Sequence, residues 1–421
     1  MPRKVLDFDA TVMSLVMTDD LVEKRRLAES IFDAARAGGA YLASIQELYM
    51  ARGRGEFGGF TVPAINLRSL TYDLACRLFR VAEKNSSGAF VFEIARSEMG
   101  YTNQSPLEYS SVVLAAALKE RYEGPVFVQG DHFQANAAKF NENPASEIEA
   151  LKSLISDAVA AGFYNIDVDS STLVDLSRPD LKGQQLRNYE VCAELTRFIR
   201  SVEPHGMTVS VGGEIGEIGH RNSTPEDLHA FMAGLEEKLD GGPVGISKIS
   251  VQTGTTHGGV VLPDGSVAQV NLDFDTLKTL SRIARDEYGL AGAVQHGAST
   301  LPPEAFHKFA ECETAEVHLA TEFQNMIYDS EHFPSDLKKR IYDWLRVNAR
   351  NEAKQGETDE QFFYKTRKKA LGPFKKEIMS LPQKTRSVIA DEIKEKFDFL
   401  FKQLKAVGKK NLVEKYVRRE N

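Results

Sequence analysis

Eight short apolar segments recur along the middle of the chain, each separated from the next by about one helix length. They are Phe60–Asn66, Ala89–Ser97, Pro125–His132, Tyr164–Ser170, Thr208–Glu214, Lys248–Gly254, Ala291–His296 and Glu316–Thr321. Their C-terminal ends lie 25 to 45 residues apart, which is long enough for a crossover helix between parallel strands. Eight β/α units at this spacing predict an α/β protein whose sheet closes into a (β/α)8 TIM barrel.

An open, doubly wound sheet is the alternative to a closed barrel. Such a sheet normally carries a glycine-rich phosphate loop directly after its first strand. Here the first predicted strand is followed by Leu67-Arg68-Ser69, which contains no glycine. The barrel is therefore the favoured fold, and we expect it to occupy residues 57–329.

Helical segments are expected on both sides of the barrel. Residues 1–56 carry apolar side chains at three- and four-residue spacing from Leu21 to Met50, with a break between two helices at Gly38-Gly39. Residues 330–421 are rich in lysine, arginine and aromatic residues at helical spacing. We expect an N-terminal helical segment and a C-terminal helical extension that packs on the barrel or on a partner subunit.

Composition excludes several classes of function. The net charge is -8 and the isoelectric point is about 5.7, which disfavours a nucleic-acid partner because phosphate binding needs a basic surface. No apolar run approaches the roughly 18 residues of a membrane span. The N-terminal apolar stretch is interrupted by aspartate, and the three cysteines lack metal-finger or redox spacing. We expect a cytoplasmic protein with no nucleic-acid or membrane partner.

Three of the nine histidines close a predicted strand or follow it directly: His132, His257 and His296. Active sites of this barrel form where the C-terminal ends of the strands meet, so these imidazoles are expected to converge. A catalytic zinc site uses three protein ligands and keeps an open position. The pattern predicts Zn²⁺, with another divalent cation as the alternative.

Carboxylates occur at matching strand ends, namely Asp131, either Asp167 or Asp169, and Glu214. Asp169 and Glu214 are candidate metal ligands, or they support the metal-binding histidines from outside. Asp131 and His132 are adjacent, so on a straight strand they would point to opposite faces. At a strand end this constraint relaxes, and we expect both to reach the site.

Small residues follow the late strands. They are Gly258-Gly259 after His257, Gly297-Ala298-Ser299-Thr300 after His296, and Thr321 at the end of the eighth strand. Backbone amides and hydroxyls in such turns suit a phosphate group, although glycines there can also serve only tight turns. A metal beside a phosphorylated sugar can polarise a carbonyl. By itself, this pattern is compatible with an aldolase, an isomerase or a hydrolase.

Six motifs in this order resemble the class II, metal-dependent ketose-bisphosphate aldolases, the fructose- and tagatose-bisphosphate enzymes. They are GDHF, AGFYNIDVDSS, GGEIGEIG, QTGTTHGG, QHGAST and ATEFQN. The resemblance covers roughly residues 57 to 329. Each motif is short, but their order, spacing and placement at strand ends are specific together.

The resemblance implies a lyase that cleaves fructose or tagatose 1,6-bisphosphate between C3 and C4. The products would be dihydroxyacetone phosphate and an aldehyde such as glyceraldehyde 3-phosphate, formed through a zinc-stabilised enediolate. The resemblance also implies a place in glycolysis or related carbohydrate metabolism, a homo-oligomer and room for a monovalent cation.

The same resemblance assigns roles to individual residues. His132, His257 and His296 would bind zinc, with Asp169 and Glu214 as outer or alternative ligands. Asp131 would handle the proton on the C4 hydroxyl. A further set would hold the substrate and its phosphate: Gly258, Gly297, Ser299, Thr321 and His318.

Two departures from the family pattern stand out. His318 occupies the position of a family asparagine that helps to bind dihydroxyacetone phosphate. The segment Gly219–Ser223 lacks the acidic residues that the family places there, which leaves the base for the C3 proton unassigned. Arg367 is one basic candidate for a second phosphate.

Two other functions stay open. The long termini bring the chain closer in size to the non-catalytic barrel subunit of some tagatose-bisphosphate aldolases. Another metal-dependent sugar-phosphate barrel enzyme is the second alternative. Within that class, a hydrolase is disfavoured, because such barrels commonly carry His-x-His on their first strand and this chain has Asn66-Leu67-Arg68 there.

Overall fold

The computed structural model describes residues 6–216, 221–254, 262, 272–417 and 419. Its centre is a sheet of parallel strands that closes on itself. The barrel strands are β2 (Val62–Asn66), β3 (Val91–Ala95), β4 (Gly124–Gln134), β5 (Asn165–Asp169), β6 (Ser210–Glu214), β7 (Lys248–Val251), β8 (Ala293–Gln295) and β9 (Glu316–Leu319). Each strand pairs in parallel with the next, and β9 pairs back to β2. The predicted (β/α)8 barrel is confirmed.

All eight predicted segments contain a barrel strand. Seven strands lie inside the predicted bounds, whereas β4 runs beyond them at both ends. One prediction was wrong at the end of the last segment: β9 stops at Leu319, and Thr321 begins a helix instead of ending the strand. The alternation of apolar strands with amphipathic helices therefore located the strands to within a few residues.

A ninth strand, β1 (Ala40–Leu42), was not predicted. It follows Gly38-Gly39, where the sequence pattern had predicted a break between two helices. Its three residues pair in parallel with Gly124–Val126, at the start of β4. A strand of three residues is too short to show periodicity in the sequence. It forms because it can pair with the start of β4.

Helices connect the strands and cover the outside of the barrel. The N-terminal helices are α1 (Phe8–Met17), α2 (Leu21–Ala37) and α3 (Gln46–Gly53). The barrel helices are α4 (Thr71–Lys84), α5 (Arg96–Thr102), α6 (Pro106–Lys119), α7 (Ala137–Glu142), α8 (Pro144–Ala160), α9 (Leu181–Gln184), α10 (Leu186–Val202), α11 (Pro225–Leu239), α12 (Phe274–Asp286), α13 (His307–Glu311) and α14 (Thr321–Asp329). The C-terminal helices are α15 (Ser335–Asn348), α16 (Asp359–Thr366), α17 (Lys375–Met379), α18 (Gln383–Gln403) and α19 (Lys410–Tyr416).

Local sequence fixes several helix starts. Helix α11 begins with a capping box in which the Thr224 hydroxyl accepts from the Asp227 amide and the Asp227 carboxylate accepts from the Thr224 amide. Pro225 occupies the first helical turn, where its missing N–H costs nothing. Asn143 caps α8 through its side-chain oxygen, which accepts from the Ser146 amide, and Pro144 follows it directly.

The C-terminal extension packs on the barrel of its own chain. Phe397 of α18 is fully buried, and its ring lies 5.2 Å from that of Phe323 in α14. Arg77 of α4 pairs with Asp391 of α18, with Nε donating to Oδ1 at 2.8 Å. One apolar cluster is continuous through the N-terminal helices, the barrel and the extension. The boundaries 1–56, 57–329 and 330–421 stay a prediction.

Among the described helices, none combines the length and the apolar composition that crossing a bilayer would require.

Replacing Phe397 with alanine should lower the free energy of unfolding by about 3–5 kcal/mol, because it leaves a cavity between α18 and α14. Chemical denaturation measures this loss. Val347→Ala in α15, where the side chain is 75% exposed, is the matched control and should change stability by less than about 0.5 kcal/mol. Equal effects of the two variants would contradict the packing of the extension on the barrel.

Candidate metal and substrate site

A cavity of about 1220 Å³ opens at the C-terminal end of the barrel. Its floor is formed by residues at the ends of β3, β4, β8 and β9, and one wall is formed by the C-terminal extension. The position agrees with the general rule that the active site of this barrel lies at the C-terminal ends of its strands.

A β-bulge places Asp131 and His132 on the same side of β4. The register between β4 and β5 shifts between Gly130 and Phe133, and His132 has φ 40°, in the left-handed region. The extra residue breaks the strict alternation of side chains, so both neighbours line the cavity. The sequence predicted that both residues reach the site because alternation relaxes at a strand end, and the bulge is the feature that allows it. A non-glycine residue in this region costs about 1–3 kcal/mol.

Asp131, His132 and His296 form a cluster in which the ligand atoms lie within 4.8 Å of one another. Asp131 Oδ1 is 3.4 Å from His296 Nε2 and 3.8 Å from His132 Nε2. The two imidazole rings lie 4.1 Å apart, centroid to centroid. We call this set the outer cluster. Two imidazoles and a carboxylate at this spacing can share one divalent ion.

Asp169 and Glu214 adjoin the outer cluster from the side of β5 and β6. His132 Nδ1 donates to Asp169 Oδ2 at 3.0 Å, and Asp169 also accepts from Gln134 and from the Ser171 hydroxyl. A carboxylate on one imidazole nitrogen orients the other nitrogen for metal binding. Asp169 therefore has the geometry of outer support, while Glu214 Oε2 lies 3.5 Å from His296 Nδ1.

His318 lies in the barrel interior beside the outer cluster. Its Nδ1 is 2.9 Å from Glu93 Oε2 and 3.1 Å from Asp131 Oδ1. Its ring packs edge-on against that of His296, with the centroids 4.1 Å apart. The residue that replaces a family asparagine therefore contacts carboxylates and an imidazole, and it also lines the cavity.

A layer of buried charge lies beneath these histidines. Lys248 Nζ donates to Gln129 Oε1 at 2.7 Å and lies 3.0 Å from Asp167 Oδ1 and 2.5 Å from Glu316 Oε1. Tyr49 also donates to Glu316. Sequence analysis named Asp167 only as an alternative to Asp169 and missed Glu93, Lys248 and Glu316. The available signal was a charged residue within an apolar strand segment, in the middle of β3 for Glu93 and at the first position of β7 and β9 for Lys248 and Glu316.

The shared environment lowers the pKa values of Asp131 and His296 for different reasons. Burial would raise the pKa of the Asp131 carboxyl, but His132 and His318 hold it well below its usual range. Burial lowers the pKa of His296 well below its usual range, and the neighbouring His132 and His318 add to this effect. The site therefore favours an ionised Asp131 and a neutral His296, which is the imidazole form that binds metal.

The predicted phosphate-binding residues line the same cavity. Gly297 adopts φ 69°, and Ser299 Oγ accepts a hydrogen bond from the Ala320 amide at 2.9 Å. Thr321 begins α14 next to this contact. Gly297, Ser299 and Thr321 thus form one continuous rim above β8 and β9.

Arg68, directly after β2, is a site residue that sequence analysis missed. Its guanidinium donates to Gln324 Oε1 at 3.2 Å and to Thr321 Oγ1 at 3.5 Å. It also pairs with Glu98 at 2.6 Å. In the sequence, Arg68 served only as evidence against a glycine-rich loop and against a His-x-His hydrolase motif. The missed signal was a cation at a strand end facing the predicted phosphate turns.

The extension lines the cavity with Lys354, Lys365 and Lys368. Lys365 pairs with Glu357, whereas no described carboxylate forms an ion pair with Lys368. Lys368 Nζ lies 5.9 Å from the centroid of the Tyr101 ring, which lines the cavity as well. The expectation for Arg367 was wrong, because this side chain is 4% exposed and donates to both oxygens of Asp329 at 2.8 and 3.0 Å.

Two predicted site residues, His257 and Gly258, lie outside the described residues, as do residues 217–220 of the loop after β6.

The sequence profile of one protein family, described as Fructose-bisphosphate aldolase class-II, matches residues 53–401. Among curated proteins, no sequence matches this chain.

Similar folds occur among solved structures. A fructose-bisphosphate aldolase from Campylobacter jejuni is 18% identical, with 88% of this chain and 96% of that chain covered at a TM-score of 0.50. A probable tagatose 6 phosphate kinase from Sinorhizobium meliloti 1021 is 14% identical, with 82% and 97% covered at 0.56. A fructuronate-tagaturonate epimerase from Cohnella laeviribosi is 13% identical, with 86% and 82% covered at 0.51. At these identities the likeness concerns the fold alone.

Replacing Lys248 with methionine should lower the free energy of unfolding by about 3–5 kcal/mol, because Asp167 and Glu316 would remain buried without their cation. Thermal or chemical denaturation measures the change. The double variant Lys248→Met/Glu316→Gln should recover part of the loss, since it removes one of the two carboxylates left unpaired. A single variant as stable as the unmodified protein would refute the role of this ion pair.

Proposed function

The chain belongs to the class-II fructose-bisphosphate aldolase family, and from this premise we propose that it reversibly cleaves a phosphorylated ketose. The proposed substrates are fructose or tagatose 1,6-bisphosphate, and the proposed products are dihydroxyacetone phosphate and an aldehyde such as glyceraldehyde 3-phosphate. The observation that carries the proposal is the outer cluster of Asp131, His132 and His296, at the base of a cavity that has lysines along one wall.

The residues of the outer cluster fit a divalent metal ion, and Zn²⁺ is the proposed cofactor. His132 and His296 would hold it together with His257, whose role rests on the sequence motif. Asp169 supports this assignment because its contact with His132 Nδ1 leaves Nε2 as the ligand atom. A bound ion supplies a fixed positive charge that polarises the substrate carbonyl.

Asp131 is the proposed proton acceptor for the C4 hydroxyl. The low pKa of its carboxyl keeps it ionised, so it can take the hydroxyl proton as the C3–C4 bond breaks. The C4 oxygen then forms the aldehyde carbonyl. The electron pair of the broken bond stays with the three-carbon fragment, which takes up a proton to become dihydroxyacetone phosphate.

The rim of Gly297, Ser299 and Thr321 is the proposed site for the phosphate of dihydroxyacetone phosphate. The N-terminus of α14 at Thr321 offers backbone amides to an anion. Arg68 lies within reach of Thr321 and provides a guanidinium that can bind phosphate oxygens in pairs. His318 is proposed to face the substrate from the cavity floor.

The extension is proposed to bind the substrate's other phosphate, with Lys368 as the main contact. This assignment replaces Arg367, which is committed to Asp329. Cytoplasmic location, a role in carbohydrate metabolism and homo-oligomerisation are further parts of the proposal that follow from the family.

The test of the proposed function is a coupled assay for dihydroxyacetone phosphate release by the purified protein. The panel comprises fructose and tagatose 1,6-bisphosphate and the corresponding monophosphates. Activity should appear with a bisphosphate, disappear with a strong chelator, and return with Zn²⁺. His296→Ala should lose at least about a thousandfold in kcat/KM, because two ligands hold the ion poorly. His307→Ala, at a half-exposed histidine that does not line the cavity, should retain full activity.

Full activity of His296→Ala, or full activity in chelator, would refute the metal-dependent mechanism. A protein that binds metal yet cleaves no ketose phosphate would favour the alternative of a non-catalytic barrel subunit.

Replacing Lys368 with alanine should raise KM for the bisphosphate about tenfold or more, because one charge-assisted contact to the second phosphate is lost. The KM for the monophosphate that lacks this phosphate should stay within about twofold. Lys376→Ala is the matched control, since Lys376 pairs with Asp19 and does not line the cavity. Equal losses for both substrates would show that Lys368 does not recognise the second phosphate.

A further inference from the structure

A buried carboxylate lines the cavity that is proposed to bind two phosphates. Glu98, the third residue of α5, is 5% exposed and lies beside Arg68 in the cavity wall. A carboxylate repels a nearby phosphate group, and burying it costs free energy unless cations or hydrogen-bond donors pair with it. Glu98 therefore needs a role other than direct contact with the substrate.

The two oxygens of Glu98 accept from two different sets of donors. Oε1 accepts from Arg68, whose Nε and Nη2 lie 2.7 and 2.6 Å away, and from the Tyr101 hydroxyl at 3.4 Å. Oε2 accepts from the Ala95 amide at 2.8 Å and from the side-chain amide of Asn66. The carboxylate thus connects the ends of β2 and β3 with the first turns of α5.

These contacts determine the direction of the Arg68 guanidinium. Glu98 binds the edge formed by Nε and Nη2, whereas Nη1 donates to Gln324 Oε1 at 3.2 Å and to Thr321 Oγ1 at 3.5 Å. Because the guanidinium is planar and its donors have a fixed geometry, holding one edge fixes the direction of the other. The edge formed by Nη1 and Nη2 can bind two phosphate oxygens.

We propose that Glu98 is a positioning residue for phosphate binding. It holds Arg68 with Nη1 directed to the rim of Gly297, Ser299 and Thr321, touches no substrate itself and acts only through Arg68. An arginine that is already fixed loses little side-chain freedom when the phosphate binds. This inference rests on the proposed function, because it takes the rim as the site for the phosphate of dihydroxyacetone phosphate.

The role requires a carboxylate, because a glutamine side chain has only one acceptor oxygen. In Glu98→Gln that oxygen can accept either from Arg68 or from the Ala95 amide and Asn66. The Ala95 amide is part of the backbone and cannot turn away, and leaving it buried without a partner is costly. The oxygen is therefore expected to stay with Ala95, which leaves Arg68 without its anchor.

The charge of Glu98 and its anchoring of Arg68 have opposite effects on phosphate binding. Removing the negative charge alone would strengthen binding, because it ends the repulsion between the carboxylate and the phosphate. Removing the anchor weakens binding, because Arg68 is no longer directed to the rim. The sign of the change in Glu98→Gln therefore distinguishes a positioning role from simple compensation of charge.

Calorimetric titration of the full chain, loaded with Zn²⁺, with dihydroxyacetone phosphate tests the inference. Glu98→Gln should raise Kd about tenfold or more. Glu108→Gln is the matched control and should stay within about twofold, since Glu108 is the buried third residue of α6, pairs with Lys24 and Lys375, and does not line the cavity. In an Arg68→Ala background, adding Glu98→Gln should change Kd by less than about twofold, because Glu98 acts only through Arg68.

Kinetics provide a second readout. In Glu98→Gln, KM for the bisphosphate should rise while kcat stays within about threefold, because the phosphate is held equally in the ground state and the transition state. A loosened site would lower kcat as well. If Glu98→Gln does not fold, Arg68→Lys replaces it: this variant keeps the charge but lacks the planar fork, and it should bind dihydroxyacetone phosphate as weakly as Arg68→Ala.

Unchanged or tighter binding in Glu98→Gln, or full affinity in Arg68→Lys, would overturn the inference while leaving the proposed function intact. Conversely, a protein that binds dihydroxyacetone phosphate, loses this binding in Glu98→Gln and yet cleaves no ketose phosphate would support the role of Glu98 and refute the proposed function.

Discussion

Closure of eight parallel strands is the constraint on which the rest of this structure depends. Because every barrel strand runs in the same direction, all C-terminal ends meet at one rim. His132 and His296 are far apart along the chain, yet their rings lie 4.1 Å apart. An open sheet would spread these strand ends along an edge. In the closed barrel, residues that are regularly spaced along the sequence at strand ends come together at one site.

A local distortion of the barrel completes the site. Regular alternation would bury one of two adjacent residues away from the cavity. The bulge in β4, with His132 in the left-handed region, brings both Asp131 and His132 to the cavity at the expense of backbone strain. Strain of this kind persists only where surrounding contacts enforce it. Here the contact of His132 with Asp169 on the neighbouring strand β5 does so.

The barrel interior beneath the site is charged where an apolar core would be more stable. Moving an ion from water into a protein interior costs several kcal/mol, and the layer around Lys248 offsets this cost through ion pairs and hydrogen bonds. Within this hydrogen-bonded layer, Glu316 contacts His318 Nε2 and thereby orients the imidazole ring. A polar network of this kind is expected where position matters more than stability. The C-terminal extension, packed on the barrel through Phe397, adds a cationic wall and sets the size of the cavity.

The sequence by itself determined the barrel, its eight strands and the histidines at their ends, because strand and helix periodicity and turn residues are local properties of the chain. It also provided the family motifs. Only the tertiary structure decided that His318 joins Glu93 and Asp131, that Lys248 lies beneath them, and that Lys368 rather than Arg367 lines the cavity. These facts depend on which face of a strand or helix meets a distant partner. Local sequence patterns do not determine these contacts, because packing across the closed barrel decides which distant residues meet.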